Sequence, residues 1–156
     1  MVKSIAFFTL TIVLLCGTTV AQAGNFGLGV IIGEPTGLSC KLWTGSNTAL
    51  DGAVAWSLGE KDVLQVHGDF LFHKFNLFKV TRGSLPLYYG IGGRFVFNER
   101  NRSDDKTRVG IRFPIGIEYI FAKAPLDIFL ELVPVLDLSP STDFDLNGAI
   151  GIRFFF

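Results

Sequence analysis

Residues 109–121 read VGIRFPIGIEYIF, and their alternation decides the fold. Val109, Ile111, Phe113, Ile115, Ile117, Tyr119 and Phe121 fall at one parity; Gly110, Arg112, Pro114, Gly116 and Glu118 fall at the other. Successive side chains of a strand point to opposite faces, so a period of two marks a strand with one greasy and one polar face. The last strand repeats the design. Phe144, Leu146, Gly148, Ile150, Ile152, Phe154 and Phe156 oppose Asp145, Asn147, Ala149, Gly151 and Arg153. Leu126, Ile128, Leu130 and Leu132 make a third copy, alternating with Asp127, Phe129, Glu131 and Val133.

Outward from these three, weaker versions of the pattern predict strands over 25–33, 36–44, 49–57, 63–75, 85–98, 107–121, 125–138 and 142–156. Glu34-Pro35, Gly45-Ser46-Asn47, the run at 59–62, Arg82-Gly83-Ser84, Ala122-Lys123-Ala124 and Ser139-Pro140-Ser141 supply turns. The reading is all-β, an eight-stranded antiparallel up-and-down transmembrane β-barrel over 24–156, with short turns on both sides and one modest outer loop.

Residues 1–23 are expected to be a cleaved signal peptide: Lys3, an apolar core from Ile5 to Leu15, then Ala21-Gln22-Ala23. That core is too short for a helical span, which needs about 20 residues. Leu15 stands where a lipoprotein reading of Cys16 would need a small residue. Cleavage leaves Cys40 as the one cysteine, so no intrachain disulfide and no cysteine-based metal site is expected.

Composition narrows the class. Hydrophobic residues are 49% and charged ones 18%, with 16 Phe and 18 Gly, so the chain is oily and strand-prone. Fourteen basic residues against 14 acidic ones remove the electrostatic case for a nucleic-acid partner. Alternation alone does not say which face is inside. An eight-strand ring leaves an interior just wide enough for side chains, which the bulky face would overpack. The apolar face therefore points to lipid, and the lumen takes Lys41, Asp51, His67, Asp69, Arg94, Arg112, Glu118, Asp127, Glu131, Asp145 and Arg153. Reversed faces would instead give a soluble periplasmic barrel that binds an apolar ligand.

The segments GEPTGLSCKLW (33–43), LPLYYGIGGRFVF (85–97) and PVLDLSPSTDFDLNGAIGIRFFF (134–156) resemble an uncharacterised family of small outer-membrane barrels, grouped loosely with the OmpX-like barrels of Gram-negative bacteria. The resemblance implies fold and location, and carries no functional residues across. The ending Ile152-x-Phe154-x-Phe156 resembles the signal read by the barrel-assembly machinery. Trp43, Trp56, Tyr119 and Phe121 suit interfacial girdles, although Trp43 has inward parity.

Three chemical readings compete with plainer ones. His67 and Asp69, with Ser39 or Ser57, suggest a hydrolase triad and hence a lipid-modifying enzyme. The plainer expectation is His67 bonded to a carboxylate inside the barrel, His73 with no evident partner, and no catalysis. The lumenal acids and bases suggest either a salt-bridged filling or a narrow ion or proton pathway. Gly27-Leu28-Gly29 and Gly90-Ile91-Gly92-Gly93 lack the context of a phosphate loop, and are expected to make room for Tyr88, Leu71 and Phe129. The polar run 98–107, with Asn98, Arg100, Arg102, Asp104 and Asp105, is expected to be an outer loop open to an extracellular partner. A monomer held in outer-membrane lipid, with no cofactor, completes the expectation.

Overall fold

Strand pairing runs unbroken around the molecule. The computed structural model describes residues 24–56, 63–98 and 107–156. The expected signal peptide, the run at 59–62, Ser57, Arg100, Arg102, Asp104 and Asp105 lie outside the described residues. The strands are β1 (Phe26–Gly33), β2 (Gly37–Trp43), β3 (Thr48–Trp56), β4 (Val63–Lys74), β5 (Leu87–Asn98), β6 (Arg108–Arg112), β7 (Ile115–Ile120), β8 (Leu126–Ser139) and β9 (Asp143–Phe155). Every pairing is antiparallel, and β1 joins β9 from Gly27↔Phe155 to Gly33↔Ala149. With β4 also paired to β5, the sheet among the described residues has no free edge and closes into a β-barrel.

The eight-strand expectation is corrected in one place. The stretch 107–121 is two strands, because Pro114 has no N–H to give to the ladder. The register nevertheless carries straight through: β5 pairs Gly92↔Arg112 and then Tyr89↔Ile115, and β8 pairs Val135 and then Leu132 with the same two residues. The Pro114 carbonyl still accepts from Gly90 N at 2.9 Å, and Phe113 N donates to Pro134 O at 2.9 Å. β6 and β7 are thus one stave, and the ring has eight staves.

The termini share one end of the barrel with the turn at 44–47, the connection 75–86 and the turn at 121–125. That connection departs from the expected short turns. It folds back on the wall, where Ser84 bridges Ile120 and the Tyr119 hydroxyl donates to Arg82 O at 2.8 Å.

The two faces differ in kind. Leu42, Leu50, Phe70 and Ile91 are successive register partners on β2 to β5, and all are exposed. Leu132 is 56% exposed and Phe144 67%, whereas Arg112 and Glu118 are 0% exposed. The interior holds an apolar cluster of Ile31, Ala53, Leu71, Tyr88, Phe129 and Ala149 beside the charges. Inward glycines make that packing possible. A Cβ on Gly116 would lie 2.6 Å from the Tyr88 ring, and one on Gly151 would overlap Phe129.

Candidate functional site in the barrel interior

Register puts charge beside charge before any side chain reaches across. Lys41↔Asp51↔Asp69↔Gly92↔Arg112 is one lateral row through β2 to β6, all with inward parity. Neighbours in the row do not all pair with each other. Lys41 and Asp51 are register partners, yet each finds its counter-ion across the lumen.

Three clusters result. Nearest the termini, Glu118 is the hub. Lys41 Nζ donates to its two oxygens at 2.5 and 2.6 Å, Arg153 Nη2 donates at 3.0 Å, and His73 Nε2 lies 3.3 Å away. Arg153 also donates through Nε to both oxygens of Asp127 at 3.1 Å, and through Nη1 to Asp51. Aromatic rings cover the cations, with Arg153 4.1 Å from the Phe129 centroid and Lys41 4.3 Å from that of Trp43.

In the middle, Arg112 Nε donates to Asp69 at 3.0 and 3.2 Å, and Arg112 Nη2 lies 3.8 Å from Glu131. The Tyr88 hydroxyl donates to Glu131 at 3.0 Å. At the far end, Arg94 forks onto Asp137 at 2.9 and 2.7 Å and reaches Asp145 at 3.2 Å. Asn147 links this group when its amide nitrogen faces Asp145 (2.9 Å) and its oxygen faces Arg94 Nη1 (3.3 Å). Arg108 adds a longer contact to Asp137 at 3.6 Å. Bidentate forks of this kind supply the geometry that offsets the desolvation of buried charge.

All eleven sequence-derived lumenal residues face inward, although half of the Asp145 side chain is exposed. Asp137, His73, Asn147 and Tyr88 join the network as well. Parity alone would have found Asp137. The expectations for both histidines are corrected. His73, expected to lack a partner, lies 2.9 Å from Lys41 Nζ and within reach of Glu118. His67, expected to bond a carboxylate, is 4.0 Å from Asp69, too far for a hydrogen bond. Nor does a triad assemble from Ser39, since Ser39 Oγ and His67 Nδ1 have no hydrogen-bond partner among the described residues. Trp43 leaves the girdle set: its ring packs 4.4 Å from His73 at the terminus-end mouth of the lumen.

Ile152, Phe154 and Phe156 face outward along and beyond β9, and the rings of Phe154 and Phe156 meet edge to face at 5.1 Å. Asn98 closes β5 opposite Val63.

No curated protein matches the chain. Among solved structures, the fold is similar to the N-terminal β-barrel domain of Pseudomonas aeruginosa OprF. The TM-score is 0.59 at 14% identity, covering 86% of this chain and 100% of that one. That likeness concerns the fold alone. The family profile described as a protein of unknown function, DUF3996, matches residues 19–156, and the chain belongs to that family.

Proposed function

We propose that this chain is an integral outer-membrane β-barrel with a filled, charged lumen, acting in envelope structure or surface interaction rather than in catalysis. One observation carries the reading: the closed ring is inverted relative to a water-soluble barrel, with ion pairs inside and Leu, Ile, Val and Phe outside on all eight staves. A contiguous apolar surface of that extent is not held in water by monomeric soluble proteins. In a bilayer it is the ordinary solution, because closure satisfies every backbone group. The fold likeness to the β-barrel domain of OprF supports the closed-barrel part of the reading. The finer elements of the proposal are export by a cleaved signal over 1–23, assembly through the strand ending at Phe156, and a monomeric state.

The test is electrophoretic. Boiled and unboiled samples of the outer-membrane fraction are compared on a detergent gel, and a mobility shift is the expected result. A soluble periplasmic protein without a shift would refute the reading. A surface-interaction role rests on 98–107 and is tested by replacing that run with a neutral turn, which should abolish binding to an extracellular partner.

A second reading, a narrow ion or proton path, draws support from the middle of the lumen. Ser39 Oγ, His67 Nδ1 and both terminal nitrogens of Arg112 are buried without hydrogen-bond partners among the described residues, and such groups call for water. Single-channel recording in planar bilayers decides it, since a silent membrane removes this reading.

A further inference from the structure

Outside the lumen, the described charged side chains at the terminus end are all basic. At the terminus end the chain exposes Lys74, Lys79, Arg82 and Lys123. The turns and connection there read TGSN (44–47), FNLFKVTRGSLP (75–86) and FAKAP (121–125), without a single acidic side chain. The two acids nearest this end, Glu118 and Asp127, are turned into the lumen and fully buried.

The connection 75–86 adds an apolar component. A tight turn would join two antiparallel strands with two to five residues. Here the chain takes a longer course and presents Leu77 (55% exposed), Phe78 (46%) and Val80 (37%) between its bases. It is held in place: Ser84 and Ile120 exchange backbone hydrogen bonds at 3.0 and 2.8 Å, and Tyr119 caps the Arg82 carbonyl. Gly83 sits at φ +73°, where a side chain would collide with the Ile120 carbonyl. Lys74 lies 5.8 Å from the Tyr89 ring, and Tyr89 stacks on Phe72 at 5.9 Å, so the segment continues directly from the outward aromatic surface.

We infer that the surface formed by Lys74 to Arg82 together with Lys123 docks on anionic phospholipid headgroups, in the leaflet at the terminus end of the barrel. The inference rests on the membrane reading above and deepens it. Bases interleaved with Leu, Phe and Val match the chemistry of an interface, with phosphate on one side and acyl chain on the other. The charge complementarity is one-sided, because among the described residues no acidic side chain is exposed at this end. Phe121 and Tyr119, edge to face at 4.8 Å, extend the aromatic border on which such a surface would rest.

The experiment folds the full chain into phosphatidylcholine vesicles carrying either spin-labelled phosphatidylglycerol or spin-labelled phosphatidylcholine. The immobilised fraction of each is then read. The expected result is a several-fold preference for phosphatidylglycerol that falls to parity in the triple variant Lys79→Gln, Arg82→Gln, Lys123→Gln. It should survive Lys79→Arg, and fade in 1 M salt, where the screening length is about 3 Å. No preference in the wild type, or an unchanged preference in the triple variant, overturns this inference alone. Failure to form a heat-shifted barrel in either vesicle overturns the membrane reading, and this inference with it.

Discussion

Arg153→Met tests whether the interior is held by charge pairing. Arg153 is 1% exposed and serves three carboxylates on three staves: Asp51 on β3, Glu118 on β7 and Asp127 on β8. Methionine keeps most of the volume against Phe129 and removes the charge. The three acids are not hit equally. Glu118 keeps Lys41 at 2.5 Å and His73 at 3.3 Å, and the Asp51 side chain is 13% exposed and can draw on solvent. Asp127 is fully buried, and Arg153 is its cationic partner among the described residues. The cost is therefore close to that of orphaning one buried charge, about 3–5 kcal/mol. That is a large share of a total stability of about 5–15 kcal/mol. Urea unfolding of the vesicle-inserted barrel, with the heat shift marking the folded fraction, gives the number. Arg153→Met/Asp127→Asn removes the orphaned charge and should recover at least half of the loss. A single variant within about 1 kcal/mol of wild type would refute the reasoning, as would a double variant no better than the single.

Other outcomes follow from the same geometry. Leu130→Arg places a charge mid-stave on the outward face. It should cost about 2–4 kcal/mol in vesicles, read from the same urea curves, whereas a soluble barrel would carry it without penalty. Gly116→Val drives a side chain against both the Leu130 carbonyl and the Tyr88 ring and should destabilise by about 1–3 kcal/mol on the same urea curves, and a variant as stable as wild type would refute the close packing there. His67→Ala should leave the lipid profile of the host membrane unchanged, and an altered profile would reopen the lipid-modifying reading.

Much of the fold was legible because a strand announces itself locally. In 109–121 and 142–156 each residue declares its face by its neighbours two places away. The interruption at Pro114 left no trace in that pattern, because parity and register both pass through it undisturbed. The connection 75–86 was legible as a gap between strands but not as a structured segment, since the hydrogen bonds that hold it run to Tyr119 and Ile120, far along the chain. Which residues are lumenal followed from parity; who pairs with whom did not. Lys41 meets Glu118 77 positions away, and Arg153 meets Asp51 102 positions away, while the register neighbours Lys41 and Asp51 pass each other by. Such partnerships are set by the ring's curvature, which no single strand's sequence contains. His73 looked solitary because both its partners lie on other staves.

The hub at Glu118 bears on the order of assembly. Its donors come from β2 and β9, and β9 is also the stave that closes the ring against β1. Until β9 arrives, Asp127 and part of the Glu118 demand stand without Arg153, on a sheet whose other face is already greasy. An open, half-wound sheet thus lacks two things at once, the backbone partners of its free edges and the cation that lets Asp127 be buried. The last seam is the step that supplies both, so winding and charge satisfaction finish in a single event. A chain wired in this way is expected to open in one step, with ring opening and loss of the heat shift coinciding along the urea curve.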